Sequence, residues 1–119
     1  MENVTEALNE MMKLDGAMCA ALVDSESGMI LGEVGSGIDI ELAAAGNTEV
    51  VRAKLKTMHS LNLDDRIEDM LITLGKQYHI IRPLTNCETV FMYIVLDKTR
   101  SNLALARRKA KDVEGKLSL

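Results

Sequence analysis

Three strand-like runs stand almost back to back in the second half of this chain: Ile67 to Leu74, Tyr78 to Leu84 and Thr89 to Leu96. Connectors this short can only reverse direction, because parallel pairing needs a crossover of roughly a dozen residues or more. The runs are therefore expected to form an antiparallel meander. Pro83 sits near the end of the middle run, where its missing N–H costs the ladder little.

The segments upstream and downstream complete the pattern. ENVTEALNEMMKL spaces Val4, Leu8, Met11 and Met12 as a short amphipathic helix, followed by Asp15-Gly16 where a helix commonly ends. AMCAALV, Ala17 to Val23, is apolar without alternation and predicts a strand covered on both faces, central in its sheet. DSESG supplies a turn and MILGEVG a second strand, making a hairpin. Asp39 is a candidate N-cap for a helix from Ile40 to Leu61, with one apolar stripe at Val51, Leu55 and Met58. A second face carries Ala43, Gly46, Val50 and Ala53. A glycine inside a helix costs about 1 kcal/mol against alanine, so close approach of another helix is the expected gain. After Asp97, Leu103, Ala106, Ala110, Val113 and Leu117 mark a closing helix.

The order is helix, two strands, long helix, three strands, helix. It predicts an α/β chain of the α+β kind, one domain over 1–119, with five antiparallel strands flanked by helices. The long helix must cross the sheet to join the two strand groups.

Composition narrows function by exclusion. A net charge of −4 and only 3% aromatic residues disfavour both phosphate-backbone binding and base stacking. No apolar run approaches the ~20 residues of a membrane span, and the acidic MENVTEALNE is unlike a signal peptide, so a cytoplasmic protein with reduced thiols is expected.

No pattern points to catalysis, a cofactor or a metal. His79 lies inside a strand with no nucleophile or carboxylate spaced for a relay, and a structural role accounts for it. His59 near the end of the long helix suits the helix dipole. Cys19 falls in the most apolar strand and Cys87 in a turn, without zinc-ligand spacing between them. GEVGSG, Gly32 to Gly37, lacks the Lys-Ser/Thr of a P-loop and the order of a dinucleotide loop, so a connector is the expectation and the chain is not expected to bind GTP. Asp64, Asp65, Glu68 and Asp69 form an acidic cluster before the third strand, read as a solvated face that could also dock a basic patch. Arg107, Arg108, Lys109 and Lys111 are placed in the latter half of the last helix, where cations favour the dipole. Arg52, Arg66, Arg82 and Arg100 include no distinguishable arginine finger.

The element order, with IEDMLITLGKQYHIIRPL and VLDKTRSNLALARRKA, resembles the roadblock family, a profilin-like architecture that includes dynein light chains and prokaryotic regulators of small GTPases. The resemblance spans about Glu10 to Leu117 and carries no catalytic signature. It implies a non-enzymatic homodimer, with long helices side by side and third strands edge to edge, that binds a small Ras-like GTPase and modulates its nucleotide cycle or location. The implied dimer contacts are Val51 and Leu55 on the helix, with Ile67, Asp69, Met70, Leu71, Ile72 and Thr73 along the strand. The residues agree: Met70, Ile72 and Leu74 share one strand face and Asp69, Leu71 and Thr73 the other, and an apolar edge left unpaired is an aggregation hazard that an isologous contact removes. A rival reading is a small-molecule sensor or general interaction module, with Met18, Met29, Met70 and Met92 lining an adaptable cavity.

Overall fold

Helix α1 (Val4–Met11) begins the structure, a computed structural model that describes residues 3–118. Glu2, at the start of the expected helix, and both ends of the expected 1–119 domain lie outside the described residues. Val4, Ala7, Leu8 and Met11 are buried at helical spacing, so one stripe of α1 faces the core. A hairpin follows, β1 (Ala17–Asp24) and β2 (Ile30–Gly35), closed by the Asp24 carboxylate accepting from the Glu26 N–H at 2.9 Å. Helix α2 (Ile40–Ser60) starts where Asp39 Oδ1 accepts from the Leu42 N–H at 3.2 Å, the expected cap. The meander is β3 (Met70–Thr73), β4 (Gln77–Pro83) and β5 (Val90–Asp97), and α3 (Leu103–Lys116) closes the chain, capped by Asn102.

All five strands form one antiparallel sheet in the order β2-β1-β5-β4-β3. Helix α2 therefore carries the chain from one sheet edge to the other. Alternation along β5 feeds two cores: Met92, Ile94 and Leu96 meet α1 and α3, while Phe91, Tyr93 and Val95 meet α2. β1 supplies both in the same way, which is why its run shows no polar alternation. The middle position belongs to β5, with β1 interior beside it.

A bulge at Met18 shifts the β1–β5 register between Ala17 and Cys19. The Met18 carbonyl there accepts from the Ser36 N–H at 3.0 Å. Gly35 passes it at φ +80°, and a Cβ at that position would lie 2.2 Å from the same carbonyl oxygen. Only glycine fits the left-handed backbone and the close approach together.

Two expectations are corrected. β3 begins at Met70 rather than Ile67, because Asp69 turns to a bidentate pair with Arg107 on α3, at 2.9 and 3.2 Å, and residues 64–69 stay outside the ladder. The cations at 107–111 occupy the middle of α3, beyond the reach of its terminal dipole. Arg107 pairs instead with Asp69, and Lys109 with Glu10 at 3.4 Å. Pro83 does end β4, beyond the reach of β3, whose pairing stops at Ile81. Among the described residues no helix is long and apolar enough to cross a membrane, and no buried side-chain nitrogen or oxygen lacks a partner.

Candidate interaction surface

The β3 edge and one flank of α2 both leave apolar side chains exposed in the described chain. The Leu74 N–H donates to the Gln77 carbonyl at 2.8 Å, which makes 74/77 a hydrogen-bonded pair of the β3–β4 ladder. By alternation 72/79 and 70/81 are too, so the N–H and C=O of Leu71 and Thr73 point away from β4 to the free edge. Ile72, 37% exposed, and Leu74 place apolar surface beside those groups.

Helix α2 presents Leu42, Gly46, Val50 and Ala53 along one exposed flank at i, i+4, i+8 and i+11. Leu42 is 72% exposed, and nothing within 4 Å would meet a Cβ on Gly46. No other part of the described subunit approaches the small-residue face at Gly46. Between this flank and the sheet runs an open groove of about 310 Å³ lined by Leu42, Ala43, Gly46 and Asn47 from α2 and by His79 and Tyr93 from β4 and β5. A smaller groove of about 170 Å³ lies at the other half of α2, where Val51, Leu55 and Ile67 meet Pro83 and Leu84 under the rim charges of Asp65, Arg66 and Glu88.

The residues implied for a dimer contact are thus dispersed over three environments. Val51, 3% exposed, is part of the helix–sheet core, whereas Leu55 is 46% exposed. Met70 packs toward α2 and Leu71 toward α1 and α3, while Ile72 and Thr73 are exposed on opposite faces. Asp69 faces α3 through its ion pair. Leu42, Asn47 and Tyr93 lie outside the residues expected from sequence to form a contact. Leu42 was legible, lying one turn before Gly46 on the same flank, but the meeting of Tyr93 with His79 depends on the register between β4 and β5.

His79 is half-buried, its ring 5.5 Å from that of Tyr93 and edge-on to it. Its Nδ1 lies 2.9 Å from the Tyr93 hydroxyl and its Nε2 2.8 Å from Gln77 Oε1. Burial holds its pKa below the ordinary histidine range. Burial, and secondarily Glu33, pushes the Cys19 thiol up, as befits a small hydrophobe. The expected connector over Gly32 to Gly37 is strand as far as Gly35, and the end of β2 with the residues after it lines a cleft bounded by Glu33, Asp39 and Glu41, a charge set that repels phosphate. Of the four arginines weighed as fingers, Arg82 is bound to Glu114 at 2.8 Å and Arg52 donates to the Glu26 carbonyl. Met29 is exposed and Met92 is core, so the methionines do not gather around one cavity. No group of three His, Cys, Asp or Glu residues with metal-binding geometry occurs among the described residues.

Neither a sequence-family profile nor a curated protein matches the chain. Solved structures do. A Roadblock/LC7 domain from Streptomyces avermitilis superposes with a TM-score of 0.82 at 9% identity, covering 95% of this chain and 92% of that one. The chain has the roadblock fold. The gliding protein MglB from Thermus thermophilus gives a TM-score of 0.78 at 18% identity, over 92% of this chain and 81% of that one. An MglB solved in a tetrameric arrangement gives 0.79 at 18%, over 92% and 80%. On this roadblock fold both grooves run along α2, one reaching β4 and β5 and the other the end of β4 and the segment before β3.

Proposed function

We propose that this chain is a single-domain, non-enzymatic homodimeric scaffold of the cytoplasm that binds a small Ras-like GTPase and modulates its nucleotide cycle or location. The carrying observation is the unsatisfied β3 edge together with an α2 flank that exposes Leu42 and Val50 around a bare Gly46. A second copy using the same edge and flank would satisfy both and close on itself. A specific interface of about 1,200 Å² needs about 600 Å² from each subunit, a small share of its 7069 Å² surface. The implied contacts are the exposed Leu55, Ile72 and Thr73, with Met70, Leu71, Ile67 and Asp69 around them and Val51 supporting the helix from beneath. The GTPase partner is the one the family resemblance implies, and the likeness to MglB structures supports the fold on which that implication rests. The nucleotide comes with the partner, since the cleft at the end of β2 is lined by carboxylates.

The test is binding to each Ras-like GTPase of the same genome, loaded with GDP and with a non-hydrolysable GTP analogue. Binding that depends on the nucleotide supports the reading, and no binding to any of them in either state overturns it. A small-molecule sensor is the second reading, favoured by the 310 Å³ groove, which reaches the lower end of ligand-pocket volumes. It predicts that ligand binding competes with self-association.

A further inference from the structure

The edge strand β3 is held differently at its two ends. At the turn end the Leu74 N–H donates to the Gln77 carbonyl at 2.8 Å and the Lys98 N–H to the Lys76 carbonyl at 3.0 Å, so backbone bonds tie the hairpin tip to the end of β5. At the Met70 end the ladder cannot continue. Its hydrogen-bonded pairs alternate as 74/77, 72/79 and 70/81, so the next would be 68/83, and Pro83 has no N–H to donate. What holds this end is Asp69, whose carboxylate accepts from Arg107 Nε at 2.9 Å and from Nη2 at 3.2 Å. Among the described residues this is the one hydrogen-bonded link from the segment between Leu63 and Met70 to a distant part of the chain. Asp69 lies next to the first ladder residue and on the same side of the sheet as Leu71, which packs on the core cluster that includes Ala106 and Ala110 of α3.

We infer that Arg107 is a positioning residue for self-association: its bidentate pair with Asp69 orders the start of β3 and so presents the edge that a second copy would bind. A four-residue strand bonded on one side has little of its own to keep it in place. A planar guanidinium that holds both carboxylate oxygens fixes direction as well as distance. The groups at stake are the N–H and C=O of Leu71 and Thr73, which point to the free edge and begin two residues beyond Asp69. Arg107 acts on them through the strand, not by touching the copy. Without the pair, the missing donor at Pro83 leaves the freed segment nothing to zip against, so this end of β3 frays rather than lengthens. That the edge receives a second copy rests on the homodimer reading; that the pair orders β3 does not.

Amide hydrogen exchange reads the two halves of this separately, because Met70 and Ile72 donate to β4 within the subunit whereas Leu71 and Thr73 can donate only across the free edge. In dilute solution Asp69→Asn and Arg107→Gln should each speed exchange of the Met70 and Ile72 amides by about two- to fivefold, the range of solvent-accessible ion pairs. The double variant should lose no more than either single one, and Arg107→Lys, which keeps the charge without the fork, should fall between. Salt at about 1 M should speed the same amides in the wild type and leave them unchanged in Asp69→Asn. At concentrations where the wild type associates, its Leu71 and Thr73 amides should slow. Each single variant should raise the dissociation constant by up to about 25-fold, since each copy brings one strand and the ordered fraction enters squared. Unchanged exchange of Met70 and Ile72 in the variants overturns the positioning role, as does self-association tighter than that of the wild type. Accelerated exchange in a chain that stays monomeric at every concentration sustains the ordering of β3 by Arg107 and refutes the homodimer. Association of the variants at wild-type strength leaves the homodimer standing and removes Arg107 from it.

Discussion

Replacing Gly46 with alanine should stabilise the isolated subunit and weaken the assembly, two effects of opposite sign from one methyl group. Within the subunit the added Cβ meets nothing within 4 Å, so no steric cost offsets the gain in helix propensity. That gain is about 1 kcal/mol for alanine over glycine in a helix interior. Unfolding entropy of about 2.1 cal/mol/K per residue, taken over 119 residues, gives roughly 0.25 kcal/mol/K, so Tm should rise by about 4 °C. Against a second helix the same methyl overpacks a contact built for hydrogen, at about 1–3 kcal/mol, or ~5- to 150-fold in the dissociation constant. Gly46→Leu should be more disruptive still. Thermal melts at concentrations too low for association measure the first effect, and sedimentation across a concentration series the second. If both variants associate as wild type does, the small flank of α2 is not where subunits meet. If Gly46→Ala lowers the dilute Tm, the flank is not open.

Gly35→Ala should destabilise the fold by about 1–3 kcal/mol of backbone strain, with further cost from the contact at 2.2 Å, and a urea midpoint within error of wild type would refute the need for glycine beside Met18. Burial alone would raise the Glu114 pKa, but the Thr85 N–H and the Arg82 guanidinium outweigh it and hold the carboxyl below its usual range. Its contribution is present above about pH 4.5 and lost as pH falls below it; Glu114→Gln should cost about 1–3 kcal/mol at neutral pH and flatten the acid limb of a stability profile, and an unchanged limb would contradict this. Iodoacetamide at pH 8 should modify Cys87 in the native protein and Cys19 only after unfolding, because burial keeps the Cys19 thiol protonated; equal rates would place Cys19 at the surface.

Legibility from sequence followed the range of the interactions. Ala17–Asp24 announced its two-sided burial because every residue in it is apolar up to the final aspartate, and Asp39 announced the start of α2 because a cap acts within three residues. The start of β3 was hidden because Asp69 is set by Arg107, 38 positions away, and no local pattern encodes that pair. The cations of α3 were placed too near its end because the helix begins at the Asn102 cap, whereas its approach was read from Asp97. Gly46 stood out as an expense within a helix, yet its open surroundings and the groove over His79 depend on where α2 crosses the sheet. The His79–Tyr93 contact required the register of two strands separated by a turn.

The two edges of the sheet are not equivalent, and their difference bears on how far an assembly can grow. Along β2, Glu33 opposes Ala21 on the α2 side and stays exposed, so a charge stands on the face of the edge strand. Gly35 bends the end of that strand into the left-handed region, and the β1–β2 register slips at Leu22 and Val23. Charge, bend and slip each discourage a further strand from adding there. β3 has neither charge nor bulge within Met70–Thr73, but it is only four residues long. Had both edges been open, pairing of β3 with the β2 of another copy would be head to tail and could propagate without limit. With β2 guarded, pairing of β3 with its own copy is the arrangement that closes. The shortness of β3 limits what the ladder alone can contribute, so the α2 flank must supply the rest of the contact, and this is why the bare surface around Gly46 belongs to the same argument as the strand edge.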